Sequence, residues 1–200
     1  MPSHRDPPLT VDEIVATTLT LTAEVGLDAL TMRAVATALE VTATALYHHV
    51  ASKDALVELV LDAVVEGVAT PRPDLSWDQW LIEYHDGLWN RLRAYRGLAR
   101  HLLEHPSTRA GAAVRRTTVE MLTANGFEER DALLAAATFH TYLLGRLAVD
   151  AFPEEIVRSH EPSWRSQGLV AGDYTAHGLQ VIIAGLRFLY GTPPAQRHSR

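Results

Sequence analysis

Residues 31–56, TMRAVATALEVTATALYHHVASKDAL, constrain the fold of this chain more than any other stretch. Thr31 can cap a helix in which Ala34, Val35, Ala38 and Leu39 recur at helical spacing. Glu40-Val41 makes a turn, and Thr42 can cap a second helix of about two turns that carries Leu46 and Tyr47. Ser52-Lys53-Asp54 then reopens the chain as a longer helix. So short a helix is marginal alone in water and must be held by neighbours. A short helix with small residues on its outer side, set at an angle on a neighbour, fits the major groove of DNA. The segment points to a DNA-binding head.

Charge limits how such a head can work. The net charge is -6. Up to residue 53 the cations are Arg5, Arg33 and Lys53, against Asp6, Asp12, Glu13, Glu24, Asp28 and Glu40. Salt-driven, non-specific binding is expected to be weak. Specific binding must come from a few placed side chains, from helix N-termini near phosphates, and from two heads acting together. With no cysteine, disulfides, thiolate metal sites and cysteine nucleophiles are excluded. The N-terminus lacks a signal-peptide pattern and no uninterrupted apolar run reaches ~18 residues. The expectation is a cytoplasmic protein with no membrane partner.

The periodicity is helical throughout, and the expected fold class is all-α. Residues 1–8 read as a flexible Pro-rich arm, 9–52 as the helix-turn-helix domain and 53–70 as a connecting helix. Residues 71–191 read as a larger regulatory and dimerisation domain, and 192–200 as a disordered tail. Thr10 caps the first helix and Gly26 closes it. Ser76 opens a helix with Trp77, Trp80, Leu81, Tyr84, Leu88 and Leu92 on one face. Further helices are expected over 97–105, 108–124, about 128–151 and 173–190, with a loop containing Pro153, Pro162, Gly168 and Gly172 before the last.

The two final helices carry small residues among apolar ones. Leu133, Ala137, Thr141, Leu144 and Ala148 step along one stripe, and Leu179, Ile182, Ile183, Leu186 and Tyr190 along another. Small residues permit close helix approach, which suits pairing with a second pair of helices. The alternative is that both stripes fill the monomer's own core.

Thr31-x-Arg33-x-Val35-Ala36, Leu39-x-Val41 and Leu46-Tyr47-x-His49-Val50-x-x-Lys53-x-x-Leu56 together resemble the head of tetracycline-repressor (TetR) family regulators. The likeness includes the preceding Glu24-Val25-Gly26-Leu27 and covers about the first third of the chain. Ser76-Trp77, Tyr95-Arg96-Gly97, His101 five before Pro106, and Asn125-Gly126-Phe127 resemble the tetracycline-type subgroup more loosely. The resemblance implies an all-helical homodimer in which the last two long helices form a four-helix bundle with their partners. It also implies a small-molecule effector that releases a roughly palindromic double-stranded operator. One departure is Glu40, where the family often has glycine; a left-handed backbone there costs a non-glycine residue ~1 kcal/mol.

Residue by residue, Arg33 is a candidate base or phosphate contact, since a guanidinium can pair two acceptors on guanine. Thr42 is a cap with a possible phosphate role, and Ala43 and Thr44 can approach thymine methyls. Tyr47 and Lys53 are phosphate anchors by type and by the family pattern. Of His48 and His49, one is expected to face the groove; adjacent histidines cannot make an i,i+4 zinc site. Pocket candidates are Trp80, Tyr84, Leu88, His101, Thr118, Leu122, Phe139 and Tyr142, each with core packing as its alternative. His101 matches a pocket histidine of the tetracycline-type subgroup. Val149 stands where that subgroup would need a carboxylate to help hold a hydrated metal, so no metal or cofactor is expected.

The leading expectation is a ligand-responsive regulator, most simply a repressor. The competing one is a regulator of the same fold whose larger domain only dimerises or docks a protein. An enzyme is not expected: no Glu-x-x-His pair repeats on successive helices, and Ser107 and Ser163 read as ordinary cap or loop serines.

Overall fold

The computed structural model describes residues 8–150 and 171–190, and all of its regular structure there is helical. The arm, the tail and the loop expected before the last helix lie almost wholly outside the described residues.

Local chemistry sets the first four helices. Helix α1 (Val11–Val25) starts where Thr10 Oγ1 accepts the Glu13 amide at 3.2 Å, and it stops at Gly26, whose φ is 80°. Helix α2 (Met32–Ala38) is capped by Thr31, α3 (Ala43–His49) by Thr42 and α4 (Lys53–Glu66) by Ser52, each accepting an amide three residues on at 3.1 Å. Ile14, Val35, Leu46, Leu56 and Val60 close a small core beneath them. Thr18 and Thr22 are fully buried in α1, and each hydroxyl donates to the carbonyl four residues back at 2.7 Å. That bond lets a polar residue serve on the apolar face.

Helix α4 ends at Glu66, a turn earlier than its apolar run suggests, and α5 (Trp77–Leu92) follows the Pro-rich stretch. Then come α6 (Leu98–Glu104), α7 (Arg109–Ala124), α8 (Glu129–Asp150) and α9 (Ala171–Tyr190). Leu81, Leu88, Leu98, Leu122, Phe139 and Leu143 continue that core into the larger domain. At one end Trp77 meets the Phe127 ring edge-on at 5.1 Å, and Tyr190 lies 5.6 Å from Phe127. An Arg187–Asp78 ion pair joins α9 to α5 there.

Residues 129–149 of α8 are long and apolar enough to cross a membrane by composition alone. The apolarity is split between two faces. Ala132, Ala135, Phe139, Leu143 and Leu147 pack inside the fold, while Leu133 and Leu134 face outward.

Candidate nucleic-acid interface and regulatory cavity

Helix α3 is about 10 Å long, and Leu46 and Val50 tether it from below, both essentially inaccessible. Thr42, Ala43, Thr44, Tyr47, His48 and His49 are all exposed on the far side, so the same short helix anchors and presents. Arg33 is exposed on α2, opposite buried Met32, Val35 and Ala36. Between α2 and α3, Glu40 holds φ 56°, the left-handed region in which a non-glycine residue is strained. Lys53 differs from its neighbours. It is half-buried, and its Nζ donates to the Leu27 carbonyl at 3.2 Å.

Leu27 also ties this head to the rest of the molecule. Its amide donates to the Arg96 carbonyl at 2.8 Å, and its side chain packs against Gly97. Arg100 pairs with Asp28 across the same junction. Helix α4 makes the second connection: Arg109 of α7 pairs with Asp62, and its amide reaches Glu58 Oε2 at 3.4 Å. Burial pushes the Asp62 carboxyl up, against the pull of the Arg109 guanidinium. The Arg91 guanidinium, on α5, donates to the Val64 carbonyl at 3.5 Å.

Helix α4 and the larger domain together border a partly open, mostly apolar void of about 40 Å³. Its walls come from Val65 on α4, Leu88 and Leu92 on α5, Leu102 on α6, Pro106 and Thr108 in the turn that follows, Gly111, Val114 and Arg115 on α7, and His140, Leu143 and Leu144 on α8. Of the pocket residues expected from sequence, only Leu88 lies on this wall. Trp80, Tyr84, Thr118, Leu122 and Phe139 are buried in core packing around it, with the Trp80 and Tyr84 rings 4.7 Å apart, and Tyr142 is half-buried. Burial also raises the Tyr84 phenol. His101 is absent from the wall; it is partly exposed and stacks on His105 at 4.2 Å. Burial and the His105 ring hold the His101 imidazole below its usual range.

Two histidines escaped the sequence reading. His140 Nε2 lies 3.2 Å from Thr118 Oγ1, and burial, aided by the nearby Arg115 charge, lowers its pKa to about 4. His85 is fully buried; its Nδ1 faces Asp86 Oδ1 at 3.4 Å, while Nε2 has no hydrogen-bond partner among the described residues. Burial lowers its pKa, with Asp86 opposing. The Phe139, Trp89 and Tyr142 rings surround it at 5.6, 6.2 and 6.4 Å. A signal for His140 existed: it adjoins Phe139 on the inward stripe of α8.

The two stripes expected to pair are only partly exposed. On α8, Leu133, Ala137 and Thr141 are exposed, with Leu144 and Ala148 half-buried. On α9 the chain's own core takes up Leu179, Ile183 and Leu186, and Ile182 and Tyr190 are half-buried. Val181, Phe188 and Leu189 are exposed instead, Phe188 to 88%. No group of histidine and carboxylate side chains able to hold a metal occurs among the described residues.

A short presented helix on a trihelical head, joined by one long helix to a larger helical domain, defines a helix-turn-helix regulator. The profile of bacterial regulatory proteins of the tetR family matches residues 14–60. An HTH-type transcriptional regulator of Saccharopolyspora erythraea is 29% identical over 92% of this chain and 87% of its own. The crystal structure of TetR from Acinetobacter baumannii AYE is 30% identical, covers 90% of this chain and 98% of its own, and superposes with a TM-score of 0.71. Apo ActR from Streptomyces coelicolor is 27% identical over 94% of this chain and 98% of its own, with a TM-score of 0.76; ActR has also been solved with actinorhodin. The chain belongs to the TetR family and is a DNA-binding transcriptional regulator.

Proposed function

We propose that this regulator is a homodimeric repressor that holds a palindromic operator through two α3 helices and releases it when a small molecule enters the void. The observation that carries this reading is the make-up of the wall. Val65 belongs to α4, the helix that begins at Lys53 in the head. An effector larger than the void has to push its walls apart, and one of them is the lever that carries α3. In a dimer, tilting both levers changes the separation of the two reading helices, which must match one turn of DNA. The actinorhodin complex of ActR supports a ligand-binding role for this domain.

On this reading Arg33, Thr42, Ala43, Thr44, Tyr47, His48, His49 and Lys53 face DNA. The pairing face runs along Leu133, Ala137 and Thr141 of α8 and Val181 and Phe188 of α9.

A second reading draws on the size of the void. About 40 Å³ holds one or two waters, whereas effector pockets span about 300–1,000 Å³. A domain so filled can act as a dimerisation scaffold alone. Selection of a bound duplex from a random pool, followed by fluorescence anisotropy with a library of apolar compounds, separates the two. Release of the selected palindrome by a compound that also raises Tm supports the repressor. A selected duplex that lacks twofold symmetry, or that no stabilising compound displaces, overturns it.

A further inference from the structure

Taking the void as the effector site, the reading proposed above, we infer that His140 makes it selective for an apolar aromatic molecule bearing a free hydroxyl. The argument starts from a single hydrogen. Thr118 Oγ1 lies 2.9 Å from the Val114 carbonyl and 3.2 Å from His140 Nε2. A threonine hydroxyl has one hydrogen to give and can accept another bond. The carbonyl cannot donate, so that hydrogen serves the shorter contact, and Nε2–H of His140 donates to the hydroxyl oxygen. The ring is 9% exposed and neutral, so a proton on Nε2 leaves Nδ1 bare.

Nδ1 makes no hydrogen bond to any described residue. His140 lines the void whereas Thr118 does not, so Nε2 is spent on a group outside the lining and Nδ1 is the nitrogen left for the space. The void therefore offers a hydrogen-bond acceptor in a mostly apolar wall, Val65, Leu88, Leu102, Val114 and Leu143 among it, where Thr108 and Arg115 are the other polar side chains. A ligand without a donor leaves that acceptor buried and unmet. One with a hydroxyl meets it, and such pairing gives sharper discrimination than apolar fit alone. The Arg115 guanidinium, held by the Pro106 carbonyl at 3.0 Å, also lines the void and favours a hydroxyl that can bear partial negative charge. A phenol meets these demands better than an aliphatic alcohol.

The test uses the full chain and two probes of nearly equal shape, 1-naphthol and 1-methoxynaphthalene. Nitrogen-15 spectra of the histidine rings first give the tautomer. A neutral His140 protonated on Nε2 supports the inference, and protonation on Nδ1 overturns it without any ligand. Calorimetry then compares the probes. The expected result is about tenfold tighter binding of 1-naphthol, with the preference falling to about one in His140→Phe. Equal binding of both probes to the unaltered chain overturns the hydroxyl selectivity and leaves the void standing as a binding site. Binding of neither overturns both. Should His140→Phe fail to fold, the tautomer and the probe ratio on the unaltered chain still decide.

Discussion

The Leu27 amide donates to the Arg96 carbonyl at 2.8 Å, and the next residue along, Gly97, has φ 94°. A Cβ on Gly97 would stand 2.9 Å from the Leu27 Cβ, so the head sits against the larger domain only because that side chain is missing. Gly97→Ala adds a left-handed strain to this clash, about 1–2 kcal/mol in all before relaxation. The expected outcome is a lower urea midpoint and weaker operator binding in the absence of effector, as the head loses its fixed seat. Unchanged stability would mean that the junction yields freely and does not set head position.

On the reading proposed above, Lys53 has two tasks. One ammonium hydrogen is engaged by the Leu27 carbonyl, which leaves two for a phosphate. Lys53→Ala is expected to cost up to ~1 kcal/mol of stability. It should also weaken binding to every duplex alike and reduce the slope of log K against log salt by about one. A stability loss with an unaltered salt slope would confine Lys53 to holding the loop.

The head was legible in sequence because its determinants are local. Thr10, Thr31, Thr42 and Ser52 each cap the helix they precede, and Gly26 stops the helix it follows, with no distant partner needed. The lining of the void was not legible, because its residues come from five helices and their facing depends on how those helices pack. Thr118 and Phe139 were pocket candidates with core packing as the alternative, and both are buried outside the lining of the void. His101 was singled out by likeness to a subgroup, whereas His140 does the lining. Helix α9 shows the same limit. It is apolar on two sides, and periodicity cannot say whether Leu179 and Ile183 or Val181 and Phe188 turn inward.

Glu40 is the only non-glycine residue with positive φ among the described residues. Glu40→Gly removes a strain of ~1 kcal/mol while adding some freedom to the unfolded chain. A net gain of about 0.5 kcal/mol is expected, together with tighter DNA binding because a negative charge leaves the turn before α3. Chemical denaturation and anisotropy at fixed salt measure both. A loss of stability would show that the Glu40 side chain contributes more than its backbone costs.

Acid should weaken the fold through His140. Its folded pKa, about 4, lies below the ordinary 6.5, so above pH 6.5 both folded and unfolded forms are neutral and no proton is taken up on unfolding. Between pH 6.5 and 4 the unfolded chain binds a proton that the folded chain refuses. Stability falls through that window by up to about 3 kcal/mol and levels off below it. His85, lowered in the same direction by burial, adds to the trend. Urea midpoints for the unaltered chain and His140→Phe at pH 7.5, 6, 5 and 4 isolate the His140 share. The difference between the two should shrink in the variant's favour as pH falls, and a constant difference would mean that His140 titrates normally.

Phe188, 88% exposed on α9, and Leu133, 54% exposed on α8, are too apolar to face water without consequence. In a twofold pairing each face meets its own copy, so one substitution enters the interface twice. Phe188→Asp buries two like charges there while touching little of the chain's own core. The expected result by sedimentation is a shift from twice 22.0 kDa toward 22.0 kDa with helicity retained. Operator binding should then drop steeply, because a lone head loses the effective concentration that its partner supplies. A variant that remains dimeric would move the interface off α9, and an unaltered chain that sediments at 22.0 kDa would remove the twofold arrangement on which operator spacing rests.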